Sequence, residues 1–156
     1  QLFELNSRDN EEPIYLYINT GGGDLVQSLA IYDVIRSLEC PVIGIALGGC
    51  QSAGLIILSS CDLRYSYPST TFMYHNPIFG DLALHTPSSS KEINRIYNYY
   101  SDLCLQIVRQ RASLTEQEWE ESFGDNNETH FFPAEALELG IIDKIVEFPK
   151  KNLKAL

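Results

Sequence analysis

Ser52 stands where a hydroxyl could serve as a nucleophile. It follows Gly48-Gly49-Cys50-Gln51 and precedes Ala53-Gly54, between an apolar strand-like run and a run of small and apolar residues. A hydroxyl at a strand-to-helix turn is held on a sharp bend, and small neighbours leave room for a substrate. The helix N-terminus offers free N–H groups and partial positive charge to a developing oxyanion. This is the logic of a nucleophile elbow, although the local spelling is not GxSxG. The same position also suits a plain helix cap.

His75 is the candidate base. It ends the run Thr71-Phe72-Met73-Tyr74 and precedes Asn76-Pro77, and strand ends in α/β folds border the crevice where ligands bind. A neutral imidazole there can take the Ser52 proton and return it to a leaving amine. A structural histidine bonded to backbone is the plainer alternative. Of the other two histidines, His85 falls in a polar loop and is expected to be solvated, and His130 falls in a Phe-rich stretch and is expected to be packed. Gly22 and Gly23 allow backbone to approach a substrate carbonyl. The Gly23 and Ala53 amides then form an oxyanion hole. A phosphate-binding loop is excluded by spelling, because there is no GxxxxGK[ST] and neither glycine turn carries Lys or Arg. A carboxylate must orient the base, and Asp125 and Glu128 are the well-placed candidates.

The elements that would position these groups follow from pattern. Ile14-Tyr15-Leu16-Tyr17-Ile18 reads as a buried strand running into the turn Gly21-Gly22-Gly23. Asp24 caps a helix carrying Leu25, Leu29, Ile31, Tyr32 and Ile35, stopped by Pro41. Val42 to Leu47 is a second strand, 48–52 a second glycine-rich turn, and Ala53 to Ser60 a helix. This β-α-β-α order predicts parallel strands with crossover helices, an α/β fold. Residues 64–66 and 71–74 read as shorter strands and 78–89 as a polar loop. A long helix opens at Ser90, with a wide Tyr-rich stripe suited to its own domain, another subunit, or both. Thr115 to Glu118 is a capping box. Pro133 starts a helix that Gly140 ends, and Ile141 to Val146 is a last strand. No domain boundary stands out over 1–156.

Bulk properties narrow the function. The chain has 156 residues, 44% hydrophobic and 21% charged, with a formal net charge of −10. That charge argues against nucleic acid and against an anionic membrane surface. There is no apolar run long enough for a membrane span. Cys40, Cys50, Cys61 and Cys104 show no CxxC spacing and read as buried thiols of a reducing compartment. Three scattered histidines give no zinc motif and no metal site is expected. The opening Gln1-Leu2-Phe3-Glu4-Leu5 reads as the end of a helix begun earlier, so a piece of a longer protein is expected.

As a set, these segments resemble the ClpP family of serine peptidases. Residues 14–23 resemble its "IYLYINSPGG", Leu29 to Asp33 its "MAIYD", and Gln51 to Gly54 its nucleophile segment "ASMG". Residues 68–77 resemble "PNSRVMIHQP", and 135–145 resemble "EAxEYGLIDKI". The matches keep their order over nearly the whole chain. Carried over by position, the resemblance makes Ser52 the nucleophile, His75 the base, and Gly23 and Ala53 the oxyanion donors, with Gly22 beside the substrate. An ungapped match puts the third member of the triad at Glu128, where the family usually has Asp. A shift in that loop would put it at Asp125. Gly21 replaces the usual Pro, Cys50-Gln51 the usual alanines, the 60–63 link is shorter, and the glycine-rich strand after Pro77 and the pore-lining N-terminal segment are missing. Some phage ClpP-like proteases share such looser features.

The resemblance implies a ClpP/crotonase-like spiral of ββα units in one domain over 1–156. A helical handle would project at about 78–123, built on the 90–112 helix. It implies a homo-oligomer of stacked heptameric rings that cleaves unfolded polypeptides in a chamber fed by an AAA+ unfoldase. It also implies no cofactor, and a cytoplasmic, organelle-matrix or stromal location. Two rival functions stand beside it: an inactive structural subunit of a mixed ring, and a crotonase-like acyl-CoA enzyme.

Overall fold

In the computed structural model, residues 1–78, 87–124 and 128–148 are described. His85, Asp125 and most of the 78–89 loop lie outside them. The elements run α1 (Leu2–Arg8), β1 (Ile14–Thr20), α2 (Leu25–Arg36), β2 (Val42–Gln51), α3 (Ala53–Ser60) and β3 (Leu63–Ser66). They continue with β4 (Thr71–Tyr74), α4 (Pro87–Arg109), α5 (Glu116–Phe123), β5 (Thr129–Phe131), α6 (Pro133–Glu138) and β6 (Lys144–Ile145). The expected α/β class holds. Strands β1, β2 and β3 are parallel neighbours joined by crossover helices, and among the described residues only the β4–β5 pair is antiparallel.

The strand β2 organises the sheet. Its first half pairs with β1 on one side and β3 on the other, through Ile43↔Leu63 to Ala46↔Ser66. Its second half pairs with β4, through Gly49↔Thr71 to Gln51↔Met73. The expected glycine turn at 48–52 is therefore corrected: β2 runs on to Gln51. Gly48, at φ +67°, lies between the two pairings, and the β1 register shifts between Ile18 and Thr20. A bulge that changes direction lets one strand leave β3 and take up β4.

Helix α2 begins as expected, with the Asp24 carboxylate accepting from the Gln27 amide. α3 is almost wholly buried, with Leu55 and Leu58 at its centre. It packs against α2 and α4 in a core that also holds Phe72, Ile107, Val108 and Ile141. The long helix starts at Pro87 rather than Ser90, because a proline's fixed φ and missing N–H are tolerated in a first turn. Its C-terminal part is anchored by buried Cys104, Ile107 and Val108, while Tyr99 remains exposed.

Two corrections concern the C-terminal third. The last strand is shorter than 141–146, because the Ile141 and Ile142 amides both close the end of α6 onto the Ala136 carbonyl. β5 has no counterpart in the sequence reading. It is the edge strand, with Phe131 buried against Phe72 and His130 facing the other way, its side chain about half exposed. His130 is thus not packed as expected, since strand alternation gives the core to its neighbour.

One ion pair, with Arg64 buried and Asp143 at the surface, ties these parts together. Arg64 on β3 donates three hydrogen bonds to the Asp143 carboxylate, from its backbone amide at 2.7 Å, Nε at 3.1 Å and Nη2 at 2.5 Å. Its Nη1 donates to the Gly140 carbonyl at 2.9 Å. Burial acts to raise the Asp143 pKa, but the Arg64 hydrogen bonds and charge outweigh it and hold the carboxyl below its usual range.

Candidate active site

The path from sheet to site is short. β2 and β4 run side by side, and the Ser52 amide donates to the Met73 carbonyl at 2.8 Å. This bond extends the β2–β4 pairing past Gln51 and fixes the chain as it leaves the sheet. Ser52 then takes φ +50°, ψ −117°, and is the only described non-glycine residue with positive φ. Such a conformation costs about 1–3 kcal/mol and persists only where its surroundings enforce it. α3 begins at the next residue. The Ser52 side chain caps nothing, so the plain-cap alternative does not account for it.

Gly22 explains why glycine is needed opposite. It has φ +111°, and a Cβ there would lie 2.8 Å from the Ser52 Cβ and 3.2 Å from its Oγ. The Thr20 hydroxyl holds the turn, accepting from the Gly22 amide and donating to the Gly22 carbonyl, both at 3.1 Å. Any side chain at 22 would occupy the space of the serine.

His75 is delivered from β4 by an aromatic clamp. Its predecessor Tyr74 is buried, with its ring edge on Trp119 at 5.3 Å and on Phe123 at 5.7 Å. Burial pushes the Tyr74 hydroxyl pKa upward, and that hydroxyl donates to the Asn76 side-chain oxygen at 3.3 Å. The His75 ring lies with Nδ1 2.6 Å from the Asn76 carbonyl. A carbonyl can only accept, so this contact assigns the proton to Nδ1 and leaves the Nε2 lone pair as the basic site.

These residues meet at one cavity of about 420 Å³. Ser52, His75, Gly23 and Ala53 line it, together with an apolar wall that includes Leu25, Val26 and Ile56. Among the described residues the Gly23 amide has no acceptor. The Ala53 amide belongs to the first turn of α3, where N–H groups have no partner within the helix. Gly22 stands behind the serine rather than in the cavity wall.

Glu128 does not line the cavity. Its carboxylate is 3.9 Å from His130 Nε2, and both side chains are more than half exposed. The strand register nevertheless points towards His75. β4 and β5 pair as Phe72↔Phe131, Met73↔His130 and Tyr74↔Thr129, and that register, continued by one residue, would set His75 opposite Glu128. Residues directly opposite in an antiparallel pair are side-chain neighbours. No described group of His, Cys, Asp and Glu is arranged to hold a metal. Two site features escaped the sequence reading. The Asn76 carbonyl as partner of His75 has no signal in residue type. Asp24 was read only as a cap, though its place directly after Gly23 could have marked it as a cavity residue.

Comparison with known proteins identifies the family. The family described as Clp protease matches residues 1–149. The chain belongs to the Clp protease family. It is 32% identical to the ATP-dependent Clp protease proteolytic subunit 2 of Prochlorococcus marinus (strain MIT 9312), over 97% of this chain and 74% of that protein. It is 30% identical to the ATP-dependent Clp protease proteolytic subunit 3 of Synechococcus sp. (strain CC9605), over 97% of this chain and 75% of that one. Membership in the family supports a peptidase, a hydrolase of the Clp type. Among the described residues, no helix is long and apolar enough to cross a membrane.

Proposed function

We propose that this chain is a serine endopeptidase subunit that cleaves unfolded polypeptides by acyl transfer through Ser52 and His75. The observation that carries the reading is that Ser52, His75, Gly23 and Ala53, from three separate turns, line one cavity. His75 Nε2 takes the Ser52 proton as Oγ attacks the peptide carbonyl. The Gly23 and Ala53 amides hold the oxyanion. His75 then protonates the leaving amine, and water releases the acyl group by the reverse sequence.

Glu128 is the proposed third member of the triad. The β4–β5 register, which would set it opposite His75 if continued by one residue, supports this. In this conformation the Asn76 carbonyl orients the imidazole, and a turn of the Glu128 side chain from His130 towards Nδ1 would complete the triad. Glu128 is longer than the usual Asp, and its exposed position gives it room to move. Asp125 is the fallback assignment.

The wider reading follows the family. One domain spans 1–156, with a handle at about 78–123 built on α4. Exposed Tyr99 and Ile96 on that helix suit contact with a second subunit. Stacked heptameric rings, a chamber and an AAA+ unfoldase complete the proposal, and the chemistry at Ser52 asks for no cofactor or metal. Four free, buried cysteines suit the cytoplasm, an organelle matrix or the stroma.

A fluorophosphonate probe tests the assignment. Labelling of Ser52, lost in Ser52→Ala, is expected. An assembled protein that takes no label would instead be a structural subunit, and turnover of acyl-CoA without peptide hydrolysis would indicate the crotonase-like chemistry.

A further inference from the structure

The cavity around Ser52 is apolar over much of its wall, with Leu25, Val26, Ile56 and Cys104 contributing side chains. Burial pushes the Cys104 thiol up to about 11, so it behaves there as an apolar group. Asp24 is the one acidic residue among the described residues that line it, and it is exposed to solvent. Asp24 directly follows Gly23, one residue from an amide assigned to the oxyanion. Its Oδ1 accepts from the Gln27 amide at 2.9 Å, and among the described residues its Oδ2 has no partner. No described Lys or Arg lines the cavity to neutralise it.

Capping α2 does not by itself call for a charge, because Asn and Ser cap as well as Asp does. What Asp adds is a negative charge beside an apolar pocket. The occupant that matches both features has an aliphatic stem and a cationic head. Lys and Arg side chains lay their stems along apolar surface while the head reaches a polar rim. An acidic side chain would meet a like charge, and a purely aliphatic one would gain nothing from Asp24.

We propose that Asp24 is a specificity-determining residue that selects peptides placing a Lys or Arg side chain in this cavity. The proposal rests on the reading of this cavity as the peptide site. The net charge of −10 attracts any cationic peptide, so the test must separate Asp24 from that general field.

Binding is measured by fluorescence anisotropy with labelled peptides that differ only in carrying Lys or its uncharged isostere norleucine at one position. The proteins are full chains with Ser52→Ala, alone and combined with Asp24→Asn or with Glu138→Gln as an exposed acid remote from the cavity. The preference for the Lys peptide should fall about three- to fivefold in Asp24→Asn, the size of an exposed ion pair. It should also shrink between about 50 mM and about 500 mM salt. Glu138→Gln should not move it. An unchanged preference in Asp24→Asn, an equal fall in Glu138→Gln, or no binding of either peptide would overturn the proposal. Cleavage of the same peptides by protein retaining Ser52 is scored separately. Selective binding without cleavage would leave Asp24 standing and remove the peptidase, while cleavage with an unmoved preference would do the reverse.

Discussion

The Ser52 amide donates to the Met73 carbonyl at 2.8 Å, two residues before His75. That one bond sets the backbone of the proposed nucleophile against the strand that carries the proposed base. Neither residue needs a long side-chain reach, because the spacing of neighbouring strands does the work. Ser52 pays for its place with a positive φ, and this separates its contribution to function from its contribution to stability.

Two replacements of Ser52 should therefore be alike in function and differ in stability. Ser52→Ala and Ser52→Gly should both abolish peptide hydrolysis. Ser52→Gly, free of the φ penalty, should be more stable than Ser52→Ala by about 1 kcal/mol. Urea denaturation beside a peptidase assay checks both. Hydrolysis retained by either variant would refute the nucleophile assignment.

Gly22→Ala brings a methyl within 2.8 Å of the Ser52 Cβ at a φ of +111°. The expected loss is about 1–3 kcal/mol of stability and at least about 100-fold in kcat/KM, as for displaced catalytic groups. Gly21→Ala is the control, since its nearest contact would be an ordinary 3.9 Å. A Gly22→Ala enzyme with normal kcat/KM would mean that Ser52 does not act from this position.

The triad acid is separated by paired variants. Glu128→Gln should lower kcat much more than KM, by about 10-fold or more, while Asp125→Asn should have little effect. The reverse result would move the assignment to Asp125. Equal activity in both would leave the Asn76 carbonyl as the sole partner of His75.

Acid stability should depend on Asp143. Its folded-state pKa is depressed by Arg64 despite the opposing effect of burial, so the folded state binds the Asp143 proton less readily than the unfolded state does. The stabilisation is complete above the unfolded pKa and is lost as pH falls through the folded one. Asp143→Asn should lower stability by about 1–3 kcal/mol at neutral pH and flatten the fall of stability on the acid side. Denaturant midpoints across pH 2–7 measure this, and parallel curves for the two proteins would rule it out.

The aromatic clamp gives a further expectation. Trp119→Ala should cost about 3–5 kcal/mol. It should also reduce activity, because Trp119 packs on Tyr74, the residue before His75. Normal kcat in a folded Trp119→Ala protein would show that His75 is held without this contact.

Local chemistry made much of this molecule legible from its residues. Asp24 before an apolar helical run, the Thr115–Glu118 box, and Pro133 and Gly140 around α6 each satisfy backbone groups at helix ends within a few residues, so their outcome needs no distant partner. Ser52, His75, Gly23 and Ala53 could be named because strand-to-helix turns and strand ends are local features. What only the tertiary structure decided were pairings between segments far apart. β2 runs past Gly48 because β4 offers it hydrogen bonds. β5 exists because Phe131 packs on Phe72, and His130 is exposed for the same reason. The positive φ of Ser52 and the place of Asp24 beside the cavity arise from the way distant backbone segments close on one another. Residue type carries no record of such closure, since a side chain's chemistry is set by its own atoms and its neighbours by the fold.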